Sequence, residues 1–201
     1  MRWGLIRAYE SERDAPSGDH MKIYQLKVTL KHVKPPVWRR VEVPADIKLG
    51  KLHKILQTAM GWTDSHLHAF RAGGVTYGMP NVDPDFPDDT RNERNVRLDQ
   101  VAQAGDALIY EYDFGDGWEH ELKIEKAFAA EPAVHYPRCT AGKHACPPED
   151  CGGPPGYQHL LDALRDASHD EHDGMRAWVG DEFDAEAFDV DAINERLWRA
   201  R

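Results

Sequence analysis

The chain has three cysteines, and all of them lie in one short segment where they could bind a metal ion. Cys139, Cys146 and Cys151 follow the spacings C-x6-C and C-x4-C. The neighbouring Pro147-Pro148 and Gly152-Gly153 pairs favour a rigid loop over a core element. Thiolates are good zinc ligands, but zinc knuckles favour the shorter C-x2-C spacing. The segment therefore suggests a metal site without being diagnostic of one.

A zinc ion on this loop would need a fourth ligand, and histidine is a suitable residue type. We predict His120, because the hairpin that carries it is expected to fold beside the loop. Three other histidines lie in or beside the loop: His135, His144 and His159. A Cys3His zinc site would contribute folding free energy rather than catalysis. Two alternatives stay open: reduced structural thiols, and a Cys146–Cys151 disulfide that leaves Cys139 free.

His66 and His68 form a second candidate site, with H-x-H spacing. If both lie on one strand, positions i and i+2 face the same side and could chelate one metal ion. Asp64, Asp116 and His120 could complete such a site. The simpler interpretation, which we favour, is that both imidazoles form hydrogen bonds on the polar face of a sheet.

Two carboxylate pairs near these residues have simple structural explanations. Asp113 and Asp116 stand among glycines in a turn sequence, where they can accept hydrogen bonds from the turn's own backbone. Glu149 and Asp150 precede a predicted helix and could cap its N-terminus. The alternative for Asp116, together with Glu119 and His120, is a position at a pocket rim as metal ligands or general acid–base groups. The alternative for Glu149 and Asp150 is a carboxylate presented to a metal ion or another ligand.

The elements that must position these residues begin with a hairpin and a helix. Residues 23–30 alternate between apolar and polar side chains, which predicts a half-buried strand. Lys34-Pro35-Pro36 would turn the chain into a second strand at residues 37–43. Apolar residues at helical spacing then predict an amphipathic helix that ends at Gly61.

The rest of the chain reads as further strands followed by helices. Strands are predicted near residues 66–72, 75–77, 108–113 and 118–126, with a loop over 81–95 and a helical turn at 96–102. Helices are predicted at residues 156–168, 171–179 and 189–199. This order predicts an α+β fold with a mostly antiparallel or mixed sheet and a helical C-terminal part. The opening ββα unit resembles a β-grasp.

Three motifs in this chain resemble one family, the plasmid pRiA4b ORF-3-like proteins. They are G-W-T-D-S-H-L-H-A-F at residues 61–70, Y-D-F-G-D-G-W-E-H at 112–120 and C-P-P-E-D-C-G-G at 146–153. The resemblance spans roughly residues 21–198, and it implies an α+β fold with a helical C-terminal part. Family members are often described as passengers of transposable elements or as resolvase-like. The resemblance implies no established activity.

Composition limits the classes of protein to consider. With 201 residues, of which 41% are hydrophobic and 30% charged, the chain is the size of one soluble domain. Residues 1–20 are polar and rich in turn formers, so we expect a flexible extension before a single domain at 21–201. No apolar stretch predicts a membrane span or a secretory signal, so we expect a cytoplasmic protein with reduced thiols.

The net charge of −10 argues against direct nucleic-acid binding, because an acidic surface repels phosphate backbones. A local basic patch is the exception to consider, and its candidates are Lys31, Lys34, Arg39 and Arg40. We expect an unidentified protein partner instead, and the sequence does not indicate an oligomeric state.

Three functions are compatible with these features. The first is a non-enzymatic binding or accessory module of a mobile element, with a structural cysteine loop that could hold zinc. The second is a metal-dependent hydrolase or nuclease that uses His66, His68, Asp116 and His120 around a metal with an open water position. The third is a DNA-recombination accessory protein, although no recombinase signature is visible. We favour the first, because the sequence contains no complete catalytic constellation.

Overall fold

The computed structural model describes residues 21–80 and 89–199, and its core is one mixed sheet. Within these residues the sheet has eight strands in the order β5-β4-β3-β6-β7-β1-β2-β8. Neighbouring strands are antiparallel except for the parallel pair β4 and β5. The strands are β1 (Lys22–Leu30), β2 (Trp38–Pro44), β3 (His68–Ala72), β4 (Val75–Gly78), β5 (Arg91–Asn92), β6 (Ala107–Tyr112), β7 (Trp118–Ala129) and β8 (Arg138–Lys143).

Five α-helices accompany the sheet in the described part of the chain. They are α1 (Leu49–Met60), α2 (Leu98–Val101), α3 (Gly153–Arg165), α4 (His172–Val179) and α5 (Val190–Arg199), and a short 3-10 helix covers Glu93–Asn95. The three C-terminal helices confirm the predicted α+β fold with a helical C-terminal part. No helix in these residues is long and apolar enough to span a membrane.

The alternating pattern of the first strand places its apolar residues in the core. Leu26, Val28 and Leu30 are almost fully buried, while the residues between them are partly exposed. On α1 the residues at helical spacing, including Leu49, Leu52 and Leu56, are buried against the same core. Gly61 ends α1 with a φ of 93°, a left-handed conformation that glycine adopts without strain.

The segment predicted as one cysteine loop begins with a strand, which corrects that prediction. Residues 138–143 form β8, which pairs with β2 and places Cys139 opposite Val41. Cys139 is only 2% exposed and belongs to the hydrophobic core. The Asn194 side chain of α5 accepts a hydrogen bond from the Cys139 backbone N–H at 2.8 Å and donates one to its carbonyl at 2.9 Å. The true loop begins after β8.

Two other local predictions are corrected by the structure. Strand β3 begins at His68 rather than at residue 66, so the argument that placed His66 and His68 on one strand face does not hold. The N-cap of α3 is Gly152, without a side-chain cap, so Glu149 and Asp150 do not cap that helix. The extension predicted at residues 1–20 lies outside the described residues, as do residues 81–88 of the predicted loop.

Candidate functional site

Three segments that are distant in sequence meet at one place, which we call the motif junction: residues 61–70, 112–120 and 146–153. The Trp62 indole N–H donates a hydrogen bond to the carbonyl oxygen of Pro147 at 2.9 Å. The Tyr112 hydroxyl donates to Glu149 Oε1 at 2.5 Å. The Gly152 backbone N–H donates to Asp116 Oδ2 at 3.2 Å. Each segment is therefore bonded to at least one of the others.

A cluster of buried aromatic rings packs inside the motif junction. The Trp62 ring lies 5.0 Å from the Tyr112 ring, 5.9 Å from Trp118 and 5.2 Å from His120, measured between centroids. All four side chains are buried. Aromatic rings bury large apolar surfaces and pack with defined geometry. The cluster therefore holds Trp62 and Tyr112, whose polar atoms bond the loop at residues 146–153, in place.

His66, whose ring packs edge-on against Tyr112 of this cluster, lies between two aspartates. Its Nδ1 is 3.6 Å from Asp113 Oδ2, and its Nε2 is 3.3 Å from Asp150 Oδ1. Asp113 Oδ1 accepts hydrogen bonds from the backbone N–H of Gly115 at 3.0 Å and of Asp116 at 3.4 Å, which confirms its predicted role in the turn. One ligand atom from each of His66, Asp113 and Asp150 lies within 4.8 Å of the other two. This group could hold a metal ion.

His68 faces a different set of neighbours from His66. Its imidazole stacks on that of His53, with ring centroids 3.5 Å apart and an interplanar angle of 4°. His68 Nε2 lies 3.1 Å from both carboxylate oxygens of Glu93. On the other side, His53 contacts Asp64 Oδ1 at 2.5 Å and the Tyr110 hydroxyl at 2.8 Å. Burial, and then the neighbouring His68, lower the pKa of His53 to about 4.

His120 lies inside the core rather than at a pocket rim. It is fully buried, and its Nδ1 lies 3.1 Å from the Trp118 carbonyl oxygen and 3.3 Å from that of Tyr110. Its Nε2 has no hydrogen-bond partner within the described residues. Burial lowers the pKa of His120 to about 4, so the imidazole is neutral at physiological pH.

The cysteines are free thiols with three different surroundings. Cys139 is in β8, whereas Cys146 and Cys151 are half-buried at the two ends of the Pro-Pro-Glu-Asp loop. Burial raises the pKa of all three thiols, that of Cys151 to about 12. Across residues 21–80 and 89–199, no group of three close ligand atoms includes a cysteine or His120. The predicted zinc site at Cys139, Cys146, Cys151 and His120 stays a prediction.

The other predicted ligands also have their own contacts. Asp116 accepts the hydrogen bond from Gly152 and so joins the hairpin to the loop. His144 Nδ1 is 2.8 Å from the Pro36 carbonyl oxygen, and its Nε2 is 3.1 Å from Glu186. His159 Nε2 is 2.6 Å from Glu171, and the His135 ring packs edge-on against Trp198.

The sequence analysis identified His66 but missed the partners that the fold brings to it. Asp113 and Asp150 were explained as turn and cap residues, yet both face His66. Both have positive φ angles, 55° and 58°, which no alternation pattern reveals. His53 was also missed, although one signal could have found it, since it is a polar residue on the apolar face of α1.

Comparisons with known proteins match most of the chain. A family model described as "Plasmid pRiA4b ORF-3-like protein" matches residues 22–192. The chain is 43% identical over 178 residues to "Uncharacterized protein y4hQ" of Sinorhizobium fredii (strain NBRC 101917 / NGR234), covering 87% of this chain and 90% of that protein.

A solved structure has the same fold. The crystal structure of protein of unknown function MM3350 from Methanosarcina mazei Go1 superposes with a TM-score of 0.78 at 36% sequence identity. The match covers 86% of this chain and 97% of that one. The chain therefore belongs to the plasmid pRiA4b ORF-3-like protein family.

Proposed function

We propose that this chain is a non-enzymatic binding or accessory module with a structural cysteine loop. The observation that carries the proposal is the separation of the histidines expected to build a hydrolytic site. His68 is held by His53 and Glu93, and His120 is buried among aromatic rings. Among the described residues, neither belongs with His66 to a group of close ligand atoms. The plasmid origin named in the family description supports an accessory role in a mobile element.

The cysteine loop has the contacts expected of a structural element. It is bonded to Trp62, to Tyr112 and to Asp116, three residues on other segments of the motif junction. The raised pKa values of Cys146 and Cys151 keep both thiols protonated near neutral pH, so they are poor nucleophiles. A zinc ion bound by the three thiolates remains part of the proposal, and the metal titration described below tests it.

Two concave surfaces flank this loop and could receive a protein partner. One has a volume of about 510 Å³ and lies between the loop, α3 and α4. The other, of about 300 Å³, lies between the loop, the end of α1 and the end of α4. Trp178 lines both and is 51% exposed. Because half-exposed tryptophans are common anchors of protein interfaces, we place the partner-binding surface at Trp178.

Selection of short peptides from a displayed library tests this surface. We expect enriched peptides that bind the wild-type protein and bind the Trp178→Ser variant at least about tenfold more weakly, as for a hot-spot residue. Trp198→Ser is the matched control, because Trp198 is also half-exposed, at 56%, but lines neither surface. Equal binding of the peptides to the wild type and to Trp178→Ser would remove the proposed surface.

A metal-dependent hydrolase or nuclease is the second candidate, and one observation favours it. His66 lies with two carboxylates rather than with the predicted His68 and His120. A metal ion held there would keep open positions for water, because the Asp150 side chain is 74% exposed. Metal-dependent hydrolysis that is lost in His66→Ala would favour this candidate over the binding module.

A further inference from the structure

His66, Asp113 and Asp150 come from the three different motifs and meet above the aromatic cluster. Histidine nitrogen and carboxylate oxygen are ligands that zinc and manganese accept. We propose that these three side chains bind one divalent transition-metal cation, with zinc as the first candidate. The site differs from the cysteine site expected from the sequence, and it does not depend on the proposed protein-binding surface.

One pair of these atoms already has the spacing of two ligands on one ion. Zinc–nitrogen and zinc–oxygen bonds are about 2.0–2.2 Å, so two neighbouring ligand atoms stand about 3.0–3.6 Å apart around the metal. His66 Nε2 and Asp150 Oδ1 are 3.3 Å apart. A ligand atom of Asp113 lies within 4.8 Å of a ligand atom of each of the other two residues, and its 3.6 Å contact with the imidazole is to Nδ1, so Asp113 would have to move toward the ion to bind it.

The hydrogen-bonding state of His66 is a second observation. Its Nε2 atom is shielded from solvent and has no hydrogen-bond partner within the described residues. The contact with Asp150 is close, but it does not have hydrogen-bond geometry. Buried polar atoms in folded proteins nearly always have a partner. A cation between Nε2 and the carboxylates would supply the missing interaction.

The surroundings hold the imidazole and leave one side of the site open. The Tyr112 ring packs edge-on against His66 at 5.7 Å, and Asp113 is 9% exposed with its Oδ1 bound to the turn backbone. Asp150, by contrast, is mostly exposed. A bound ion would therefore have two firmly placed ligands, one ligand on the loop, and remaining positions for water or for an oxygen atom of a partner.

A second group of close ligand atoms, His159, His169 and Glu171, does not share these properties. His159 Nε2 already makes a contact with Glu171 at 2.6 Å, and both side chains are about half-exposed. Their interactions are satisfied without a cation. This group therefore provides a control of similar composition for any metal titration.

Isothermal titration with ZnCl2, after removal of metals with a chelator, tests the proposal. We expect the wild type to show a zinc-binding event that is lost, or is at least about tenfold weaker, in His66→Ala and in Asp150→Asn. His159→Ala and Cys146→Ser should retain this binding event. Zinc should also raise the melting temperature of the wild type but not that of Asp150→Asn.

Three outcomes would overturn the proposal. The wild type could fail to bind zinc, or Asp150→Asn and His66→Ala could bind it as tightly as the wild type. Zinc binding that survives in His66→Ala but disappears in Cys146→Ser would assign the metal to the cysteines instead. Because Asp150 is exposed, Asp150→Asn is expected to fold, and the melting temperature without metal confirms this.

Discussion

His53 and His120 are buried imidazoles whose pKa values are lowered to about 4, in both cases mainly by burial. In the unfolded chain their pKa values return to the ordinary value near 6.5. Between these values the unfolded state binds more protons than the folded state. The stability that these residues contribute is therefore present above pH 6.5 and is lost as the pH falls toward 4.

We predict that the free energy of unfolding falls between pH 6.5 and pH 4.5 by up to about 1.4 kcal/mol per pH unit for each such histidine. In His120→Gln this slope should be shallower, because one of the two titrations is removed. Urea unfolding at several pH values measures it. The same slope in His120→Gln and in the wild type would contradict the prediction.

The candidate metal group of His66, Asp113 and Asp150 shows how much of a site can be predicted from the sequence. It marked His66 as a candidate metal ligand, because imidazole is a common ligand type. It suggested His68 as a partner, because His68 follows only two positions later, whereas the side chains beside His66 in the structure, Asp113 and Asp150, are distant in sequence. The side chains that surround His66 are determined by how the three segments of the motif junction pack together. Spacing along the chain does not predict that packing.

At the scale of elements, regular patterns were predictable and irregular ones were not. The alternation in β1 and the helical spacing in α1 are dictated by burial on one face, so the sequence displays both. Strand β8, R-C-T-A-G-K, has no clear alternation and contains a glycine. It is held by pairing with β2 and by Asn194 on α5, which are long-range contacts. The pairing of β2 with β8 could not be inferred from local signals.

In the motif junction, the start of α3 packs closely against the hairpin turn at Asp116. Gly153 makes this close packing possible. Gly153 has a φ of +66°, and a Cβ atom there would lie 2.3 Å from the Asp116 carbonyl oxygen. We predict that Gly153→Ala lowers the free energy of unfolding by at least about 2 kcal/mol, from the clash and the strained backbone together. Chemical denaturation measures this change.

Gly174 in α4 provides the matched control for this substitution. A Cβ atom there would meet nothing within 4 Å, and its backbone is helical. Gly174→Ala should therefore leave stability unchanged or raise it by up to about 1 kcal/mol, since alanine favours helix more than glycine does. Equal effects of the two substitutions would show that the packing of Gly153 on the hairpin is not important.

For the molecule as a whole, the surface ion pairs determine whether basic side chains are available to bind an anionic partner. The basic patch considered from the sequence is largely neutralised. Lys31 pairs with Glu119 at 3.0 Å, and Arg40 pairs with Glu125 at 2.7 Å. Arg39 is 3% exposed and donates hydrogen bonds to backbone carbonyls. The electrostatic potential around the protein is therefore governed by its net charge of −10.

This charge distribution predicts that the isolated protein does not bind DNA. Non-specific DNA binding draws its free energy from released counterions, which requires several cationic side chains facing the phosphates. In fluorescence polarisation with a labelled duplex at about 50 mM salt, we expect no binding tighter than about 100 μM. Glu125→Lys is the informative companion variant, since it frees Arg40 and adds a positive charge beside it. Wild-type binding that weakens steeply with salt would instead support the recombination-accessory role, whereas binding gained only in Glu125→Lys would show that these ion pairs suppress it.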